Sequence, residues 1–157
     1  MIQTNGLSML KIGQQLPDND HVVRYVPPSK LRRDGDDKVV GFLHSAFELR
    51  EGEPSLSVSQ LEFFQGDRST QIVECVTANR ISIKVKPSSA FAIGKVGKFK
   101  EIGQRQTSGS SLKIVFTPTG SNPSHTSVQK LPRDEFALFE TFAVEVFVER
   151  IMNAAIP

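Results

Sequence analysis

The chain has 157 residues, a length that builds one domain with a real core and excludes two comfortable ones. Hydrophobic residues make up 38% and charged residues 23%, which excludes a disordered or fibrous chain, and a net charge of +2 singles out no partner. The one cysteine, Cys75, excludes an internal disulfide. Its apolar setting in "TQIVECVTA" marks a buried thiol rather than a nucleophile.

No apolar run approaches the ~20 residues that cross a bilayer. The first twenty residues have no basic region followed by a long apolar stretch, so neither a secretory signal nor membrane contact is expected and the location is read as cytoplasmic. Eleven Phe against one Tyr and no Trp predict a core filled by rings without polar atoms.

Residues 1–20 lack periodicity and read as a loosely held arm, leaving 21–157 as one domain. "HVVRYV" alternates as a strand and is stopped by Pro27-Pro28. "SKLRRDGDDK" suggests a short helical turn and a loop at Asp34-Gly35-Asp36, and "VVGFLHSAFELR" an extended piece with a bulge at Gly41. Ser59-Gln60-Leu61-Glu62 has the spacing of a capping box, predicting a short helix that exits at Gly66. A second helix is expected from Ser69 or Thr70 through "QIVECVTA", with Ile72, Val73 and Val76 on one face.

"RISIKVK" alternates as a strand wet on one side. "AFAIGKVG" looks like a bulged or edge strand because of its glycines, "GQRQTSGSS" like a link, and "LKIVFTP" like a strand closed by Pro118. In "LPRDEFALFETFAVEVFVERIMNAAI" the stripe Leu138, Phe139, Phe142, Ala143, Val146, Phe147 and Ile151 predicts a long C-terminal helix packed on the sheet. The expected class is therefore α+β: a single domain with a mainly antiparallel or mixed sheet, that long helix and two shorter ones.

Chemistry-bearing motifs are sparse. Phosphate-cradling glycine loops, acidic calcium loops and glycine-flanked serine elbows are absent from the sequence. Histidines 21, 44 and 125 are too widely spaced to suggest a metal site, so none is expected.

Two polar constellations remain. In "DHVVRYVPPSKL", Arg24 suits a phosphate or carboxylate through its planar fork, or else a carboxylate of the fold such as Glu48 or Glu62. His21 and Tyr25 fall on the opposite strand face from Arg24. In "SNPSHTSVQ", Asn122-Pro123 opens a turn, and His125 is either a turn residue or a general base and phosphate donor. "HTS" and "HSA" imitate a twin-histidine phosphoesterase, but Ala46 stands where that motif needs a hydroxyl.

Charge is uneven. Arg80–Arg105 holds five lysines and two arginines against Glu101 alone, while Arg133–Arg150 carries Asp134, Glu135, Glu140, Glu145 and Glu149. Such segments form either two solvated faces that attract each other or a basic face (80–105) for an anionic or protein partner.

"DHVVRYVPPSKL", "AFELREGEPSLSVSQLEFF" and "PSHTSV" together resemble a family of small bacterial proteins with the pattern HxxRY…AFxLR…LSVxxLE…PSH, of the kind found in mobile-element and phage-defence gene neighbourhoods. The resemblance covers roughly residues 20–128 and implies roles for His21, Arg24, Phe47, Arg50, Ser57, Glu62, Ser124 and His125. The chain departs from the pattern at Gln60, where an aromatic is expected, and in its basic 95–105 segment.

The leading expectation is an accessory or binding module whose His21, Arg24, Tyr25, Arg50, Ser57, Glu62, Ser124 and His125 hold an anionic ligand, a nucleotide or nucleic-acid phosphate. A nucleotide-using enzyme of the ADP-ribosyl-transfer type, reading Arg24, Ser57 and Glu140 in order, is one alternative. A protein–protein adaptor is the other. No cofactor is indicated.

Overall fold

The structure is a computed structural model and describes residues 10–106 and 112–157. Its centre is a six-stranded sheet in the order β6-β7-β4-β1-β5-β8, with every neighbouring pair antiparallel. The strands are β1 (His21–Val26), β4 (Leu56–Gln60), β5 (Ala90–Lys95), β6 (Lys113–Phe116), β7 (His125–Gln129) and β8 (Glu149–Met152). A separate hairpin pairs β2 (Leu31–Arg33) with β3 (Val39–Phe42). The helices are α1 (Arg68–Ser82), α2 (Val96–Gln106) and α3 (Phe136–Thr141). The expected α+β class stands. Among the described residues, no helix is long and apolar enough to cross a membrane.

Strand alternation divides the side chains between two faces. Val22, Val26, Leu56, Val58, Ala90, Ala92, Ile114 and Val128 face a large core completed by Phe47, Phe99, Phe139, Phe142 and Phe147. Phe147 is stacked on Phe47 at 4.3 Å and meets Phe99 edge-on at 5.3 Å. Val23, Phe91 and Ile93 face the other way, onto Cys75 and Val76 of α1. Helix α1 covers only the β1–β5 half of that second face. On the β4–β7 half the outward positions are Ser57, Ser59, His125 and Ser127, too polar to seat a helix.

Several elements differ from expectation. "RISIKVK" is not a strand: α1 runs on through Ser82, and Ile81 is 74% exposed. The buried line Cys75, Val76 and Asn79, with Ile72 half-buried, keeps helical spacing to the end. Arg80 then clamps the C-terminal segment through the Asn153 side chain and the carbonyls of Ile156 and Pro157.

The second correction concerns the long C-terminal helix, which is absent. After α3, one wide turn over Phe142–Val146 closes with Phe147 N–H donating to Phe142 O at 2.9 Å. The chain then becomes β8 and satisfies the outer edge of β5, whose buried backbone groups need partners. The phenylalanine stripe is real, but it ends at Phe147.

Third, Ser59 caps no helix. It lies inside β4, only a single 3-10 turn (Leu61–Phe63) follows, and the true cap of α1 is Asp67, whose carboxylate accepts from Thr70 N–H at 2.8 Å.

"AFAIGK", expected as a bulged or edge strand, is instead a strand in unbroken register between β1 and β8. Gly94 is needed there because a Cβ would meet Phe147 and Val146 at 3.0 Å. In "SKLRRDGDDK" the expected helical turn is the 3-10 turn Pro28–Lys30 and the loop falls at 34–37, but Leu31–Arg33 between them is a hairpin strand whose register shifts between Arg32 and Arg33, opposite Gly41 and Val39. "GQRQ" ends α2, while residues 107–111 of the expected link lie outside the described residues. Within the expected arm, residues 1–9 also lie outside them. The remainder is pinned along β6 by Gly13 N–H to Phe116 O at 2.7 Å and Leu16 N–H to Ile114 O at 2.9 Å, with Leu16 buried.

Because Phe147 joins the ring stack to the turn leading into β8, Phe147→Ala is expected to cost about 3–5 kcal/mol. The check is urea unfolding followed by circular dichroism, in which the midpoint falls while the folded spectrum persists.

A cationic cavity where two central strands part

The site begins with a break in pairing. β1 and β4 pair only at Val22↔Gln60 and Val23↔Ser59, although β1 continues alongside β5 to Val26↔Ala90. Beyond Val23 the two strands diverge, and the carbonyl of Ser57 lacks a β1 partner. Arg24 fills that gap, donating from Nη1 to Ser57 O at 2.8 Å and from Nε to Ala46 O at 3.0 Å. A cavity of about 350 Å³ opens at the split, between the polar half of the sheet and the end of α1. That volume lies near the lower end of the range for small-molecule sites.

Of the residues expected at a site, Arg24, Tyr25, Arg50, Ser57 and His125 all line this cavity. The alternative in which Arg24 is bound by Glu48 or Glu62 is not what forms, since its partners are carbonyls. Burial is the main reason its guanidinium falls from 12.5 to about 10, with Arg50 adding to the fall and Glu53 opposing it. Lys30, which also lines the cavity, is lowered by burial first and then by the neighbouring Arg24 charge. Burial would raise Glu53, but hydrogen bonds from Arg50 and the charges of Arg50 and Arg24 outweigh it and hold the carboxyl low. Arg50 Nη2 reaches Glu53 Oε2 at 3.2 Å, and Arg133 donates to the carbonyls of both residues, fixing their turn.

Other expected residues do not line the cavity. His21 and Glu62 bind each other, with Nδ1 to Oε2 at 2.7 Å and the His21 N–H to Oε1 at 2.7 Å. His21 begins β1, at the opposite end of that strand from the split, which is why it cannot join Arg24. Ser124 lies behind the wall, fully buried, and donates from Oγ to Asn122 Oδ1 at 2.7 Å. Phe47 belongs to the core. Glu140 of α3 is held by Arg32 at 2.8 Å, so the order Arg24, Ser57, Glu140 does not converge. Within the basic 80–105 segment, Arg80 clamps the C-terminal segment, Lys100 pairs with Asp18, and Arg105 pairs with Glu101 and Glu145.

The cavity also draws in residues that sequence patterning missed: Lys30, Glu53, Ser59, Asn79, Thr119 and Asn122. Ser59 Oγ accepts from both Asn79 Nδ2 (3.2 Å) and Asn122 Nδ2 (3.1 Å), tying α1, β4 and the loop before β7 into one polar floor. Lys30, Glu53 and Ser59 lie within the segments that carry the resemblance and Asn122 in the Asn-Pro turn, but no sequence signal marked them for the cavity. His125 stands at the start of β7 rather than in the loop. Its Nδ1 is 2.9 Å from Thr117 O and its Nε2 is 3.1 Å from Ser57 Oγ. A carbonyl only accepts, which assigns the ring proton to Nδ1 and leaves the Nε2 lone pair facing the serine hydroxyl. Among the described residues, no group of three His, Cys, Asp or Glu side chains gathers as a metal set.

Cys75 lies outside the cavity lining, on the buried face of α1, and burial pushes its thiol from 9.0 up to about 12. It should therefore resist a disulfide reagent in the folded protein at pH 8 and react fully once denaturant is added. A thiol raised in this way stabilises the fold fully below its unfolded value of 9.0, and that contribution is lost as pH climbs through about 12. Urea midpoints measured at rising pH above 9 should fall in the wild type by more than in Cys75→Ala. Compared with family models, with curated proteins and with solved structures, the chain finds no match.

Proposed function

We propose that the protein is a binding module for a small anionic ligand, a nucleotide or a terminal nucleic-acid phosphate, held in the cavity at the β1–β4 split. The observation that carries this reading is Arg24, a half-buried guanidinium at the cavity wall whose hydrogen bonds go to two carbonyls, with Glu53 acting on it through charge alone. Partial desolvation of a cation is unfavourable, and an anion seated beside it offsets that. Lys30 and Arg50 add positive charge, while Tyr25, Ser57, Asn122 and Thr119 supply neutral hydrogen-bonding groups. One carboxylate, Glu53, faces this set and is already engaged by Arg50.

The cavity volume favours a mononucleotide or a single phosphate over a duplex, which needs an extended basic track. In the bacterial setting that the sequence pattern resembles, this would be an accessory role. The alternative of ADP-ribosyl transfer gains no support, because Glu140 is engaged elsewhere by Arg32.

Calorimetric titration of the whole chain with inorganic phosphate, AMP and ADP tests the proposal. Saturable binding that weakens with added salt is expected. Arg50→Ala, at an exposed side chain, should weaken it about tenfold with little change in melting temperature. Absence of heat and of any thermal shift with all three ligands would reject the reading.

A further inference from the structure

We infer that Ser57 is a nucleophile with His125 as its general base, so that the cavity hydrolyses an ester whose anionic portion rests on the cationic wall. This rests on the anion-binding reading for its substrate class, and on independent geometry for its chemistry. The two residues come from neighbouring strands, with Ser57 opposite Ser127 and His125 opposite Ser59, so their contact is diagonal across the β4–β7 pair. The nucleophile-to-base distance is 3.1 Å, and the far nitrogen of the base is held at 2.9 Å by a carbonyl. Thr117 O thus takes the orienting part that a carboxylate plays in a three-residue arrangement. Thr117 Oγ1, 2.6 Å from Ser127 Oγ and 3.1 Å from His125 Nδ1, braces the ring from the same side.

Other hydroxyls of the cavity lack this arrangement. Ser59 is buried and accepts from two asparagines. Ser57 is exposed and is the serine in contact with the imidazole lone pair.

In the step itself, Ser57 Oγ bonds to the ester carbonyl carbon while its proton passes to His125 Nε2. Negative charge gathers on the carbonyl oxygen in a recess lined by Arg24 and Arg50. The ester C–O bond then breaks, and the alcohol leaves with the proton from Nε2. Water attacks the acyl-serine and gives its proton to Nε2, which returns it to Ser57 Oγ as the carboxylic acid departs. Atoms and charge balance with water as the only co-substrate.

A fluorophosphonate probe tests the dyad, because an activated serine displaces its fluoride and keeps the phosphonyl group. Intact mass and peptide mapping are expected to find one label on Ser57. Ser57→Ala should abolish it, and His125→Gln, checked for an unchanged melting temperature, should slow it by about 100-fold or more. Labelling that is absent, lies on another residue, or proceeds equally fast in His125→Gln overturns the inference. Phosphate titration on the same preparation separates the two readings. Phosphate binding without labelling removes the dyad and keeps the pocket, whereas labelling without phosphate binding keeps the dyad and removes the anionic ligand.

Discussion

The parting of β1 from β4 is the constraint on which the rest of the site depends. Two central strands of an antiparallel sheet normally continue their ladder, since each unpaired buried carbonyl costs free energy. Here pairing ends at Val23↔Ser59, and the side chain of Arg24 supplies the donor that β1 backbone would have given to Ser57 O. The cost of opening the sheet is thereby met by a cation, and the same cation gives the resulting space its character. Had an uncharged amide filled the gap, the positive character of the cavity would rest on Lys30 and Arg50 alone.

The unequal cover of the two faces determines what surrounds that cation. One face is closed by phenylalanines packed between the sheet, α2, α3 and the wide turn, so it offers rigidity and little else. The other is closed by α1 only over β1 and β5. Its remaining half carries serines and a histidine, of which Ser57 is exposed, and Asn79 at the end of α1 connects to Ser59 of the floor. Rigid strands therefore present the polar groups, which favours fixed distances between Ser57, His125 and Arg24 over loop-borne adaptability. The turn carrying Arg50 and Glu53 is the outer wall, held by Arg133 from the segment before α3.

Much of the fold was legible where one physical signal acted alone. "HVVRYV" before two prolines and "LKIVF" before Pro118 became strands, because alternation and a stop agree and nothing in the tertiary structure competes. Helix α1 was legible from its start through its middle, apart from Val73, which is exposed, and illegible at its end. Its cap is Asp67, and its last turn contains an alternation of isoleucines that imitates a strand. The C-terminal stripe correctly identified core residues, yet an unpaired edge of β5 drew residues 149–152 out of a helix. Among the site residues, Arg24, Tyr25, Arg50, Ser57 and His125 were named from sequence and meet in space. His21, Glu62 and Ser124 were named with them and do not.

Sequence by itself determined the composition of the core, the choice of Arg24 as a candidate, the mixed α+β class and the positions of the strongest strands. These follow from local chemistry: ring size, alternation, and proline's missing donor. Tertiary structure alone decided which polar groups share a cavity, because that depends on strand order and on where pairing stops. A histidine one residue past a turn and a serine sixty-eight positions earlier become neighbours only when β4 and β7 lie side by side.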